Sequence, residues 1–390
     1  MFAWEQGGGF GHIIPHVSSV KKLQAKGHKV FFVVKDLSRA PLISRVFRAP
    51  CFQAPVKTWP SANRIGTTFT YAHVLHNLGF DSLDTLIALV SGWQVLYATI
   101  KPHLVIFEHS PIALLAARAH SFSRTITGTG FVIPPPIYPL PNFQPWLKAD
   151  PETLRNDEDR IVATTNRLLE GMRLPGLKHI IDLFAGERTA LKTFKELDHY
   201  PERRDGNYFG TWISPIGEKP VWPKGTGKKV FVYLKHFPAL PSVLSSLIDL
   251  QVPTIAYIER SRLGLREKFN SASLRLVRAP QDMNRVAKEC DVAILNGTHN
   301  ASANLLLAGK PALHLPLYVE QVITARNIER LGAGVNCPNL NAERIRVGLE
   351  TLLGSESISE TARGFAARYV SMNAEEQSER LVSFIEDGLA

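Results

Sequence analysis

The chain alternates short apolar runs with stretches whose apolar residues recur every three or four positions. In the first half FAWEQ leads into HVSSVKKLQAKG and then HKVFFVV, and later HLVIF leads into PIALLAARAH. Short apolar runs of this kind read as strands buried on both faces, and the periodic stretches read as helices that cover them. The order is βαβ, so the strands are expected to be parallel and joined by crossover helices. The second half repeats the alternation with KKVFVYL, LPSVLSSLIDL, TIAYI, VAILN, ASANLLLAG and PALHLPL, and closes with a helical region from about residue 341. The expected fold class is α/β, with two doubly wound Rossmann-like domains.

Between the halves, residues 200–228 are rich in Pro and Gly and lack a sustained period, as an interdomain connection would. The boundary is placed at Pro220, giving domains 1–219 and 220–390, with the last helix able to return to the first domain. A chain of 390 residues suits two such cores. Residues 134–145, PPPIYPLPNFQP, are too rich in proline for a helix or central strand. They read as a stiff surface loop or as the apolar wall of a ligand pocket.

Apolar runs such as VFFVV and IALLAARA stop short of the roughly 18–20 residues of a membrane span. MFAWEQGGGFGH lacks the basic and apolar regions of a secretory signal, so a cytoplasmic location is expected. Cys51, Cys290 and Cys337 are far apart, which argues against a zinc site or a disulfide framework and for small buried apolar side chains. The net charge of +10 suits an anionic ligand, a nucleic acid or an anionic membrane surface. The basic residues are scattered and not interleaved with aromatics, which argues against nucleic acid and leaves peripheral contact with anionic lipid open.

Two regions carry candidate chemistry. GGGFGHIIPH, residues 7–16, lies between the first strand and first helix, where open α/β sheets bind ligands. Gly7 and Gly9 lead to no third glycine, so the dinucleotide pattern GxGxxG is not met. His12 follows Gly11 and is expected in the first helical turn, where the dipole favours a neutral imidazole that can act as a base. Glu108 ends HLVIF and should emerge at the same sheet edge, where a carboxylate could fix the tautomer of His12. His109 is a weaker substitute for either. The second region is CDVAILNGTHNASANLLLAGKPALHLPLYVEQVITARNIERLGAG, residues 290–334. Asn296, Gly297, Thr298, His299, Asn300 and Ser302 surround a helix N-terminus, whose free N–H groups and dipole favour a phosphate. Plainer readings stand beside these: a helix-start histidine, an exposed strand-end acid and an ordinary helix cap.

This second region resembles the donor-binding motif of nucleotide-sugar-dependent GT-B glycosyltransferases, the broad group of UDP-glucosyltransferases, macrolide and glycopeptide glycosyltransferases and the cell-wall enzyme MurG. Gly309, Pro311, Pro316, Glu320, Gln321, Ala325, Gly332 and Gly334 fall in register with that motif. GGGFGHIIPHVSSVKKLQAKGHKV resembles the family's amino-terminal signature, and TFKELDHYPERRDGNYFG, residues 193–210, the segment before its interdomain linker. The likeness touches most of the chain and is specific for the superfamily, not for a substrate.

The resemblance implies the GT-B arrangement of two Rossmann-like domains facing a central cleft, an acceptor-binding first domain and a donor-binding second one. It implies an inverting transfer of a sugar from a UDP- or dTDP-linked donor to an acceptor hydroxyl, with His12 as general base and Glu108 in place of the usual aspartate partner. Gly11, Lys235, Asn296, Gly297, Thr298, His299, Asn300, Ser302, Asn304, Glu320 and Gln321 become the donor-site candidates, with the last two matching the acidic-Gln pair that binds sugar hydroxyls. Two positions depart from the family. Asn296 stands where a phosphate-binding histidine is common, so Lys235 or His236 would supply charge, and Asn304 stands where a glutamate grips the ribose diol, which favours a deoxyribose donor. His314 reads as a core histidine. The implied acceptor is a small molecule or a lipid-linked one, set by loops around 55–80 and 130–175, and no cofactor or metal is implied, since no DxD-type site is evident. The rival expectations are a nucleotide-sugar epimerase, a non-catalytic partner protein on the same fold, and a transferase acting on nucleic acid.

Overall fold

A computed structural model describes residues 1–8, 11–211, 217–261 and 264–389. Gly9 and Phe10 of the glycine-rich turn, and residues 212–216 of the connection, lie outside the described residues. The chain divides into two compact units: Met1–Gly210 with Glu375–Ala390, and Thr211–Ala374. The division thus falls at 210/211, ahead of the 219/220 expected from proline and glycine density, because Thr211 already bonds within the second unit, to Asn300.

The amino-terminal unit is built on six parallel strands: β1 (Phe2–Trp4), β2 (Phe32–Val34), β3 (Cys51–Gln53), β4 (Leu104–Glu108), β5 (Ser123–Gly128) and β6 (Arg188–Leu191). Their order is β3-β2-β1-β4-β5-β6. Every residue of β1, β2 and β4 is buried, as strands covered on both faces require. Helix Leu83–Ile100 is long and apolar enough to cross a membrane, a stretch more extended than the apolar runs considered from sequence. Its Leu86, Leu89, Val90, Trp93 and Tyr97 form a buried face that packs on helices Pro111–Ala117 and Pro151–Gly171, while Ile87 and Val95 on it are exposed.

The last helix, Ala374–Glu386, belongs almost wholly to this unit. Its Leu381, Val382 and Ile385 form a buried stripe, and Glu375 and Glu379 meet Lys22 at 2.6 and 2.9 Å. Arg188 lies over the Phe384 ring at 4.3 Å and donates to the Phe384 carbonyl, tying that helix to the edge strand β6.

The carboxy-terminal unit repeats the plan with β7 (Val230–Lys235), β8 (Thr254–Glu259), β9 (Leu274–Val277), β10 (Val292–Leu295), β11 (Ala312–His314) and β12 (Gly334–Asn336). The order β12-β11-β10-β7-β8-β9 is parallel throughout and is the same doubly wound order, with β7 and β10 standing where β1 and β4 stand in the first unit. Helices Leu240–Asp249 and Ala342–Gly354 cover one face with Leu240, Val243, Leu244, Leu247, Ile345, Leu349 and Leu352. In each unit the strand order reverses between the first and fourth strands, the position where such sheets bind ligands beyond their carboxyl ends.

Candidate active site

In the amino-terminal unit β1 and β4 are hydrogen-bonded neighbours, and Trp4 stands in register with Glu108. His12 and Glu108, 96 residues apart, meet with Nδ1 to Oε1 at 3.1 Å. His12 lies in a turn; a short 3-10 segment, Ile14–His16, follows, and the α-helix begins only at Val17. It is therefore not in the first turn of the helix as expected. Its orientation comes from Glu108 and from the Trp4 indole, which stacks on the imidazole with centroids 5.4 Å apart.

The second oxygen of Glu108 is equally occupied. Lys192, immediately after β6, places Nζ 2.7 Å from Oε2, and His16 places Nε2 at 3.4 Å. Lys192 Nζ is also 3.0 Å from His16 Nε2. Burial opposes a charge on Glu108, but Lys192, aided by hydrogen bonds from His12 and His16, outweighs it and holds the carboxyl well below the usual carboxylate range. Burial, then Lys192, lowers His16 to about 4, and burial lowers His109, with His12 adding to it, to about 3. Both are thus neutral near pH 7.

A carboxylate only accepts, so His12 Nδ1 carries the proton and Nε2 is left as the basic nitrogen. Gly7 makes room for that nitrogen: it has φ +84°, and a Cβ there would fall 2.2 Å from His12 Nε2. A Cβ on Gly11 would meet nothing within 4 Å, so its own unit makes no steric demand for glycine there.

In the carboxy-terminal unit, β7 ends at Lys235 and β10 at Leu295, side by side. Asn296 follows β10 and closes the edge: its Oδ1 accepts from the Lys235 backbone N–H at 2.7 Å, and its Nδ2 donates to the Leu315 carbonyl at 2.8 Å. The residue is 3% exposed. Asn296 is therefore a clamp joining the ends of three strands rather than an amide held out towards a phosphate. Gly297, at φ +81°, lets the loop approach the next helix, since a Cβ would lie 2.8 Å from the Gln321 carbonyl oxygen.

The helix His299–Leu307 starts from Thr298, whose side chain makes no capping bond. Asn300 Oδ1 accepts from Thr211 Oγ1 at 2.6 Å and from Asn304 Nδ2 at 3.2 Å, while Asn304 Oδ1 is buried without a partner. Ser302 turns away from the loop and meets buried His314 at 3.2 Å, so it is not among the groups around the helix start. His314 is wholly buried and lowered by burial to about 4. His299 is buried at the first helical position. Lys235 is half-buried with its ammonium 5.2 Å from the exposed ring of Tyr318, and His236 beside it is exposed. Glu320 and Gln321 open the helix Val319–Arg330; Glu320 is half-buried, and Gln321 is buried with Oε1 accepting from the Leu317 N–H at 2.8 Å. Among the described residues no group of three or more His, Cys, Asp or Glu side chains is placed to hold a metal ion.

Lys192, His16 and Thr211 escape the sequence reading. An isolated lysine closing the run RTAL and a second histidine four residues after the first carry no local signal. Only the pairing of β6 beside β5, and of β5 beside β4, brings Lys192 to Glu108.

No protein-family model matches the sequence, and no curated protein matches it. Solved structures do match over essentially the whole chain. The glycotransferase of kitacinnamycin superposes with a TM-score of 0.71 at 17% identity, covering 100% of this chain and 99% of that one. The fold is GT-B. The calicheamicin glycosyltransferase CalG4 gives 0.71 at 15% identity over 100% and 98% of the two chains. The glycosyltransferase VinC, solved with dTDP, gives 0.68 at 15% identity over 99% of each. Both GT-B domains are thus represented, each as a doubly wound sheet of six parallel strands.

Proposed function

We propose that this GT-B chain is an inverting glycosyltransferase that moves a sugar from a nucleoside-diphosphate donor to an acceptor hydroxyl. The observation that carries the reading is the His12–Glu108 pair at the reversal point of the amino-terminal sheet, 3.1 Å apart with His12 Nε2 left basic. In the proposed step His12 Nε2 takes the acceptor proton, the oxygen bonds to the anomeric carbon, and the bond to the diphosphate breaks with its electron pair on the leaving oxygen. Glu108 stabilises the imidazolium so formed. The carboxy-terminal unit holds the donor: N–H groups at the start of helix His299–Leu307, with Thr298, meet the diphosphate, and Glu320 binds sugar hydroxyls. No metal is required in this scheme.

A thymidine-type donor is favoured over a uridine one, on two grounds. Asn304 brings no carboxylate to grip a 2′-hydroxyl, and its Nδ2 is already engaged by Asn300. The structural neighbour VinC was solved with dTDP, and the rhamnosyltransferase SpnG was solved both with thymidine diphosphate and with the spinosyn aglycone. A small-molecule hydroxyl is accordingly the proposed acceptor. A second reading, a non-catalytic binding protein on this fold, is favoured by one observation: Asn296 is consumed by backbone bonds.

Thermal-shift titration with dTDP-, UDP- and GDP-sugars decides between these readings, because a ligand of the folded state raises the melting temperature. The expected order is dTDP-glucose above UDP-glucose, with no shift from GDP-mannose. Absence of any shift would remove the donor assignment. A shift without donor consumption across a panel of hydroxylated aglycones would favour the binding protein.

A further inference from the structure

We infer that Lys192 is a positioning residue for the candidate base: by holding Oε2 of Glu108 it keeps that carboxylate ionised and leaves Oε1 to His12. The inference rests on the transferase reading and adds to it a residue that acts only through Glu108. Lys192 is 7% exposed, and its ammonium lies 2.7 Å from Glu108 Oε2 and 3.0 Å from His16 Nε2. A buried ammonium is costly unless paired, and here its partner is the carboxylate that orients His12. The backbone fixes its place, since the Lys192 N–H donates to the Gly128 carbonyl at 2.7 Å and continues the β6 pairing with β5.

The division of labour follows from the two oxygens. With Lys192 in place, Oε2 meets a cation and His16, and Oε1 is left to face His12 Nδ1. Without the cation, burial would favour the neutral carboxylic acid, and a neutral acid no longer stabilises an imidazolium. Groups facing Glu108 come from every surrounding element: His12 and His16 from the segment after β1, His109 beside it, and Lys192 after β6. From β5 the facing residue is Gly128, where a Cβ would lie 3.7 Å from Oε1, and Lys35 after β2 acts on His109. Of these, Lys192 alone brings an ammonium group into contact with the carboxylate.

The test compares Lys192→Met with Lys192→Arg by two readouts. The first is the carboxyl carbon-13 signal of Glu108, assigned with Glu108→Gln, which needs no substrate. It should stay in the ionised position from pH 5 to 8 in the unmodified protein and in Lys192→Arg, and titrate within that range in Lys192→Met. The second is the pH profile of kcat/KM for transfer from the donor found by thermal shift. In Lys192→Met the acid limb should move to higher pH by about one unit or more, with kcat near pH 7 down about tenfold to a hundredfold and donor KM little changed. A Glu108 signal that remains ionised in Lys192→Met, or a profile lowered uniformly without displacement, overturns the inference. If Lys192→Met does not fold, Lys192→Arg decides: a displaced Glu108 titration there overturns it, and an unchanged one with retained transfer upholds it. If no variant or parent transfers sugar, the carbon-13 readout still decides the role of Lys192, and the failure falls on the transferase reading.

Discussion

At the β1/β4 edge of the amino-terminal unit, one carboxylate meets a lysine and two imidazoles, whereas at the β7/β10 edge of the carboxy-terminal unit the loop is closed by amides and hydroxyls. The strand orders are the same, so the two edges are equivalent addresses in the fold. In the first, the charged contacts converge on Glu108, the carboxylate that meets His12. In the second, the side chains mostly hold backbone in place, and the proposed donor contacts fall to N–H groups at a helix start. Charged groups suit a proton transfer, and neutral preformed N–H groups suit a diphosphate that brings its own charge.

The comparison breaks most sharply at His12. His12→Ala should lower kcat by about 10²- to 10⁴-fold, the range for loss of a general base, while donor binding by calorimetry stays within twofold. Equal loss of donor affinity would show that the two edges do not divide the work in this way. Asn296→Ala should do the reverse. It leaves the Lys235 N–H and the Leu315 carbonyl without their buried partner, at about 1–3 kcal/mol for each group. The expected outcome is a marked loss of stability in urea unfolding together with weak donor binding. Donor affinity lost at full stability would instead make Asn296 a direct phosphate ligand.

Much of this was legible along the chain. Short apolar runs alternating with amphipathic stretches specify parallel sheets, because only strands covered on both faces can be so uniformly apolar. Glu108 was readable because it ends such a run, and His12 because it lies in the glycine-rich turn after another, since parallel strands deliver their carboxyl ends to one edge. Lys192 was not, since its neighbours say nothing about which strand β6 will lie beside. The direction of an amide was equally hidden: Asn296 and Ser302 sit where ligand contacts are expected, but one bonds backbone and the other a buried histidine. Proline and glycine density marks the connecting segment 200–228 but not the point within it, 210/211, where the two units divide.

A smaller effect is expected at Gly297. Alanine there combines φ +81° with a Cβ only 2.8 Å from the Gln321 carbonyl, and the strain should cost about 1–3 kcal/mol. Because the loop carries the helix start, donor affinity should fall by about tenfold while the Glu108 carboxyl signal is unmoved. A change in both would show that the two edges are coupled.

The mildest test concerns acid. His314 is lowered by burial to about 4 and is therefore neutral in the folded carboxy-terminal unit, whereas an unfolded histidine titrates near 6.5. Between those values the unfolded chain binds the extra proton, so this contribution to stability is fully present above about pH 6.5 and is lost as pH falls towards 4. The slope from one such group is at most about 1.4 kcal/mol per pH unit. Replacing His314 and its partner together, His314→Leu with Ser302→Ala, removes the titrating group and leaves no polar atom of the pair buried alone. Hydrogen exchange of β10 and β11 amides, corrected for intrinsic rates, should then lose most of its acid sensitivity between pH 6.5 and 4.5. Unchanged sensitivity would place the acid-labile group elsewhere in the unit. Retained donor binding in the double variant would show that Ser302, although next to the helix start in sequence, serves the core.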